Sequence, residues 1–300
     1  MNTKQSASLL ASFSDEMAGL VESAGESVFS VAARRRFPAS GFAIADNLMI
    51  TADHVIEQED NILVGNAADN FSASLVGRDP QHDLALLKVE HIRMKPLTPA
   101  SEPARVGSLT LALARPGRTI QASLGVLSSS GEWSFRREKG TRAILRAEVS
   151  AYPGFSGGPL IDVNGAVLGL NTSAISMGGL ATLSMAFLQG AIDQLKTYGH
   201  VRQGYLGVRF QVVELGSEQV KLLAREQKTG LLVSGIEENS PAAKGKLQVG
   251  DILIGLGGEV VYSIETLQAI LSGDRIGKVT SIELLRGGSV QMLEVEIGER

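Results

Sequence analysis

One serine of this chain lies in a stretch made to shape backbone: Tyr152-Pro153-Gly154-Phe155-Ser156-Gly157-Gly158-Pro159-Leu160. Glycine opens backbone angles closed to other residues, and proline removes an N–H while fixing φ. Such a turn holds a hydroxyl in the open and aims nearby N–H groups at one point in front of it. Those are the parts of a nucleophile and an oxyanion hole. Taken alone, Gly-x-Ser-Gly-Gly is equally a tight turn between strands, so the chemistry depends on a base and an orienting acid elsewhere.

Serine is a poor nucleophile until a neighbour takes its proton, and an imidazole with a pKa of ~6.5 suits that task. His82, His91 and His200 lie in polar or linker contexts, whereas His54 follows the apolar run Leu48–Thr51. Asp83 opens the apolar run Asp83–Val89, where an unpaired carboxylate carries a large desolvation cost that an imidazole N–H relieves. The order His54, Asp83, Ser156 is that of chymotrypsin-type triads. Asp53 is the rival acid, but neighbours on an extended chain face opposite ways, so its expected effect is only a modest rise in the imidazole pKa.

The same five residues fit the nucleophile elbow of α/β-hydrolases. That elbow runs from strand to helix, with acid and histidine downstream. Here the chain after Ser156 reads as a hairpin turning at Asn164-Gly165, and the only downstream histidine is His200, in a linker. The hydrolase context is missing.

The elements that must position these groups are mostly short strands. Val28–Ala33, Ser40–Ala45, Leu48–Thr51, Ile62–Val64, Ser72–Val76, Leu84–Val89 and Leu109–Ala114 form a first set, cut by Asn, Asp, Gly and Pro. Gln121–Ser128, Arg142–Val149, Pro159–Val163, Ala166–Leu170 and Leu183–Leu188 form a second, with Ser128–Lys139 expected as a long exposed loop. Ala191–Tyr198 reads as a short helix and Gly199–Gly204 as a linker, while Arg34-Arg35-Arg36 reads as a solvated loop or edge guard. Before the strands, Leu9, Leu10, Phe13, Met17, Leu20 and Val21 make one helical stripe, expected to pack on the following domain or a neighbouring subunit. The last hundred residues mix strands (Gly230–Ile236, Asp251–Leu256, Ser281–Arg286, Gln291–Ile297) with helices at Ser217–Arg225 and Ile264–Leu271, a small α+β unit. The expected division is 1–27, an N-terminal helical segment; 28–198, a mainly β domain; and 204–300.

Composition narrows the classes. Three hundred residues at 44% hydrophobic and 20% charged read as globular, and a net charge of −4 carries no nucleic-acid footprint. The absence of cysteine excludes disulfides and thiolate chemistry. No apolar run approaches the ~20 residues that span a bilayer. Asp15 and Glu16 interrupt any signal-peptide core after Lys4, so the expected location is cytoplasmic, or periplasmic if a leader was removed.

Several motifs together resemble the HtrA (DegP/Deg) serine proteases. They are Thr51-Ala52-Asp53-His54-Val55, Asp79-Pro80-Gln81-His82-Asp83-Leu84-Ala85-Leu86-Leu87-Lys88-Val89, Gly154-Phe155-Ser156-Gly157-Gly158-Pro159-Leu160 and Gly169-Leu170-Asn171-Thr172. Gly204-Tyr205-Leu206-Gly207-Val208, Ser240-Pro241-Ala242-Ala243 and Val249-Gly250-Asp251-Ile252-Leu253 look like an HtrA-type PDZ domain. The resemblance runs from about residue 13 to the end. It implies a trypsin-like double β-barrel followed by a PDZ domain, with His54 as base, Asp83 as acid, Ser156 as nucleophile, and the Gly154 and Ser156 N–H groups as oxyanion hole. It also implies a homotrimer formed through the N-terminal segment, action on unfolded or damaged proteins, and no metal or organic cofactor. A catalytically idle chaperone or PDZ scaffold is the alternative. Two departures stand out: Asp53 where the family usually has an uncharged residue, and Phe155 in place of Asn, with a ring expected to crowd the cleft.

Ser150, Ala151 and Tyr152 before the turn offer no carboxylate for a Lys or Arg side chain. With Ala151, Leu183 and Met185 as pocket walls, the expected preference is for Val, Leu or Ala, Glu148 being the residue to suspect otherwise. In the PDZ unit, Tyr205, Leu206, Gly207 and Val208 are expected to receive a peptide C-terminus by β-augmentation. Leu267, Ile270 and Leu271 are expected to line the pocket for its last side chain or to serve as core.

Overall fold

The computed structural model describes residues 3–35, 37–134, 141–175, 180–223, 225–271 and 275–299. The chain divides into two compact units: 1–133 with 142–201, and 202–300 with the short segment 134–141. None of the described helices is long and apolar enough to cross a membrane.

The first unit opens with helix α1 (Thr3–Gly25). Six strands follow: β1 (Val28–Ala32), β2 (Ala39–Ala45), β3 (Leu48–Thr51), β4 (Ile62–Gly65), β5 (Asn70–Asp79) and β6 (Leu84–Val89). They close into a barrel in the order β1-β2-β3-β6-β5-β4. Alternation along β6 sends Ala85, Leu87 and Val89 into the barrel core with Phe29, Val31, Met49 and Val64. Closure pairs every strand and leaves no open sheet edge.

A second barrel, in the order β10-β11-β12-β9-β8-β7, is built from β7 (Leu109–Ala114), β8 (Gln121–Ser134), β9 (Thr141–Ala147), β10 (Pro159–Asp162), β11 (Val167–Thr172) and β12 (Ala181–Ser184). The expected hairpin after Ser156 is present. Gly165 turns it at φ 81, and Asp162 Oδ1 accepts the N–H groups of Asn164 and Ala166.

Two expectations fail here. Residues 128–134 extend β8 instead of forming a loop, and 135–140 lie outside the described residues. Leu183–Leu188 is not a strand: β12 stops at Ser184, whose hydroxyl accepts the Phe187 N–H and starts helix α2 (Met185–Tyr198). Such a cap contributes about 1 kcal/mol. The buried Met185, Leu188, Ile192 and Leu195 repeat at helical spacing, a pattern that the six-residue, mostly apolar window Leu183–Leu188 does not separate from a strand.

The stripe on α1 splits in two. Met17, Leu20 and Val21 are partly buried, with Leu20 close to Gly165, whereas Leu9 and Leu10 are 70% and 71% exposed.

The second unit contains β13 (Gly204–Tyr205), β14 (Val208–Glu214), α3 (Ser217–Leu222), β15 (Thr229–Ile236), α4 (Pro241–Lys244), β16 (Ile252–Leu256), β17 (Glu259–Val260), α5 (Ile264–Leu271), β18 (Val279–Arg286), β19 (Ser289–Glu296) and β20 (Gly298–Glu299). The main sheet runs β14-β15-β16-β18-β19, so β14 is an edge strand. Buried Asp251 takes a two-pronged bond from Arg286, 2.7 Å on each side. Arg286 itself is partly exposed, so the pair closes the turn at Asp251 from the solvent side.

Candidate active site

The three predicted residues come to one place from three local structures. His54 sits in a one-turn 3-10 helix, Asp53–Val55, immediately after β3. Asp83 does not begin a strand. It ends a second 3-10 turn, Pro80–His82, in the left-handed conformation (φ 46, ψ 48), and β6 starts one residue later. Few residues other than glycine accept that conformation, and Asp is among those that do. The left-handed turn directs the buried carboxylate to the His54 loop.

There Asp83 is fully engaged. His54 Nδ1 lies 3.0 Å from both carboxylate oxygens, the His54 N–H donates to Oδ1 at 2.9 Å, and the Thr172 hydroxyl donates to Oδ2. Burial alone would push the Asp83 carboxyl up, but the hydrogen bonds and charge of His54 and the Thr172 hydroxyl outweigh it and hold the group below its ordinary value. An ionised carboxylate only accepts, so Nδ1 carries the ring proton and Nε2 is free to accept another.

Nε2 meets a hydroxyl that the sequence reading assigned no role. Ser173 Oγ lies 3.4 Å from His54 Nε2 and 2.9 Å from Ser156 Oγ. With one proton per hydroxyl, Ser173 donates to Nε2 and Ser156 donates to Ser173. Ser156 and His54 are therefore joined through the Ser173 oxygen, with no direct hydrogen bond between them among the described residues.

The nucleophile turn is pressed between barrels. Gly154 and Gly157 have φ of 98 and 85, and a Cβ on Gly157 would stand 2.0 Å from the Ser40 carbonyl oxygen. The N–H groups of Gly154 and Ser156 bond to no backbone acceptor among the described residues, while Phe155, Gly157 and Gly158 do. Phe155 does not crowd a cleft. Its ring is 1% exposed and packs in the second barrel's core with Leu127, Leu145, Leu160 and Leu180.

Asp53 takes Arg78 as its partner (Nε to Oδ1, 2.6 Å), and Arg78 also reaches Glu59. Its charge is thus neutralised locally. Of the pocket residues, Ala151 is exposed and Leu183 fully buried between β9 and β11. Met185 lines a small cavity of about 160 Å3 with Phe42, Leu97, Val167 and Ile192, none of them triad residues. Met185 is the first residue of α2, so it leaves the extended path of β12 on which the sequence places it.

In the second unit, the Leu206 and Gly207 N–H groups bond to no backbone acceptor among the described residues, and the carbonyls of the same residues are held by Ala242 and Glu237. Leu267, Ile270 and Leu271 are buried core residues, clustered with Leu206 and packed against by Val208 and Phe210.

Comparison with known proteins matches residues 39–170 to the trypsin-like peptidase domain and residues 204–297 to the PDZ domain. A probable periplasmic serine endoprotease DegP-like of Pseudomonas putida (strain GB-1) is 34% identical over 270 residues, 86% of this chain and 55% of the relative. The structure of the HtrA-type protease AlgW with tripeptide superposes with a TM-score of 0.77 at 26% identity, covering 94% of this chain and 97% of that one. This chain is similar to the HtrA-type proteases over both of its domains.

The chain spans about half the length of the curated relatives it matches. A DegP-like relative from Halomonas elongata, 31% identical over 274 residues, shows the same partial span. The serine endoprotease of Yersinia pestis, at 24% identity and a TM-score of 0.76, shares the fold. The DegP-like relatives are named periplasmic, and the cytoplasmic expectation finds no support among them.

Proposed function

We propose that the chain is a serine endopeptidase that cleaves unfolded or damaged proteins outside the cytoplasm and engages peptide C-termini through its PDZ domain. The observation that carries this reading is the hydrogen-bonded series Asp83, His54, Ser173, Ser156. Ser156 turns from Ser173 to His54 Nε2, loses its proton there and attacks the peptide carbonyl carbon. His54 becomes an imidazolium stabilised by Asp83, and the oxyanion is received by the uncommitted N–H groups of Gly154 and Ser156. His54 then returns the proton to the leaving amine, and water hydrolyses the acyl-enzyme by the same route. An idle scaffold would not need this series, and casein digestion that disappears in Ser156→Ala separates the two readings.

Ser173→Ala is expected to speed fluorophosphonate labelling of Ser156. A hydrogen bond worth about 1 kcal/mol no longer holds the hydroxyl off the imidazole, which amounts to roughly fivefold. Slower labelling would make Ser173 part of the proton path instead.

The Leu206 and Gly207 N–H groups, without a backbone acceptor among the described residues, and the edge strand β14 suit a terminal carboxylate followed by an added strand. A peptide amidated at its C-terminus is expected to bind at least tenfold more weakly than its free acid. Equal dissociation constants in a titration would remove the carboxylate from the PDZ assignment.

A further inference from the structure

One residue of the first barrel holds the nucleophile turn by two carbonyls. Ser40, wholly buried on β2, donates its N–H to the Ser156 carbonyl at 3.1 Å and its hydroxyl to the Gly154 carbonyl at 2.7 Å. Its hydroxyl oxygen accepts the Arg115 N–H at 2.7 Å, and its carbonyl accepts the Thr51 hydroxyl at 2.7 Å. Every polar group of Ser40 is used, and two of them hold the carbonyls of Gly154 and Ser156, the two residues whose N–H groups form the predicted oxyanion hole.

Arg115 continues the connection. Its side chain is buried and has no carboxylate partner among the described residues; its guanidinium donates to the carbonyls of Val28 (2.6 Å), Arg118 (2.6 Å) and Gly25 (2.8 Å). Gly25 closes α1, where unpaired carbonyls and the helix dipole favour a cation.

We propose that Ser40 is a positioning residue for the oxyanion hole, and that Arg115 ties it to the C-terminal end of α1. Gly154 at φ 98 is a residue whose flanking peptides rotate at little cost. With its carbonyl pinned by Ser40, less freedom remains to move its N–H away from the reaction centre. The second bond, to the Ser156 carbonyl, fixes the turn on the far side. A shift of α1 is felt at the hole through three links: the Gly25 carbonyl, the Arg115 guanidinium and main chain, and the Ser40 hydroxyl.

This inference rests on the protease reading, and the test keeps the two apart. Ser40→Ala and Arg115→Lys are compared with the unaltered chain in peptide hydrolysis and in binding of a peptide boronic acid. The boronate forms a tetrahedral adduct on Ser156 and places an oxygen in the hole. Losing one oxyanion donor outright costs about 10²–10³ in kcat, so a misplaced donor in Ser40→Ala is expected to lower kcat by roughly ten- to a hundredfold. KM is expected to stay within about twofold, because ground-state binding does not use the hole. Boronate affinity is expected to fall by the same factor as kcat. Arg115→Lys, whose single ammonium cannot replace the planar fork at three carbonyls, is expected to show a smaller loss of the same kind. All assays run well below each variant's thermal midpoint. Should Ser40→Ala fail to fold, Arg115→Lys decides: a kcat loss without a KM change supports the link, and unchanged kcat and boronate affinity overturn it. A rise in KM alone overturns it as well. An unaltered chain that neither hydrolyses peptide nor binds boronate rejects the protease reading itself, and the inference with it.

Discussion

Ser156→Ala is expected to lower kcat for peptide hydrolysis by about 10⁶-fold, leaving the residual rate that binding and oxyanion stabilisation supply without a nucleophile. The size follows from the serine's place in a cooperating set: without Oγ, neither His54 nor Asp83 has a proton to move. The fold should survive, because among the described residues the lost hydroxyl bonds only to Ser173, and the turn is held by backbone contacts to Ser40 and Asn171. The check is single-turnover hydrolysis with far-UV circular dichroism on the same sample. A folded variant that keeps a hundredth of the rate would mean that catalysis occurs elsewhere.

Asp83→Asn is expected to lower kcat by about 10⁴-fold at neutral pH. Asparagine accepts the left-handed backbone at φ 46, so the turn is preserved and the chemistry is isolated. Its amide can present an N–H to Nδ1, which leaves the ring proton on Nε2 and removes the acceptor that Ser156 requires. The stability of the unaltered chain relative to Asp83→Asn also has a definite pH dependence. A carboxyl held below its ordinary value stabilises the fold above the unfolded pKa of ~3.9, and that contribution is lost as pH falls through the lower folded value. Urea midpoints of the two proteins should therefore keep a constant difference from neutral pH to about pH 5. The difference should narrow only in stronger acid. Narrowing between pH 8 and 6 would assign the titration to another group.

The fold shows how local signals and long-range packing divide the work. Strands β3, β6 and β7 fall where alternation and turn residues put them, because each is a short apolar run between clear breakers. The end of β12 is not legible because Leu183–Leu188 is apolar apart from Ser184, and only the Ser184 cap and the buried α2 face decide between strand and helix. The place of Phe155 is hidden for a related reason. Its neighbours in sequence form the nucleophile turn, but its ring belongs to the second barrel's core.

Residue types and spacing were enough to single out His54, Asp83 and Ser156 as candidates, the hairpin after the turn, and a second α+β unit, since such residues have few other uses at such spacings. Tertiary structure alone decided the company those residues keep: Thr172 on Asp83, 89 positions away, and Ser40 on Gly154, 114 positions away. Small hydroxyl residues are common and leave no periodic trace along the chain. A bond that one of them makes becomes visible only when folding brings distant strands together and burial requires every polar atom to find a partner.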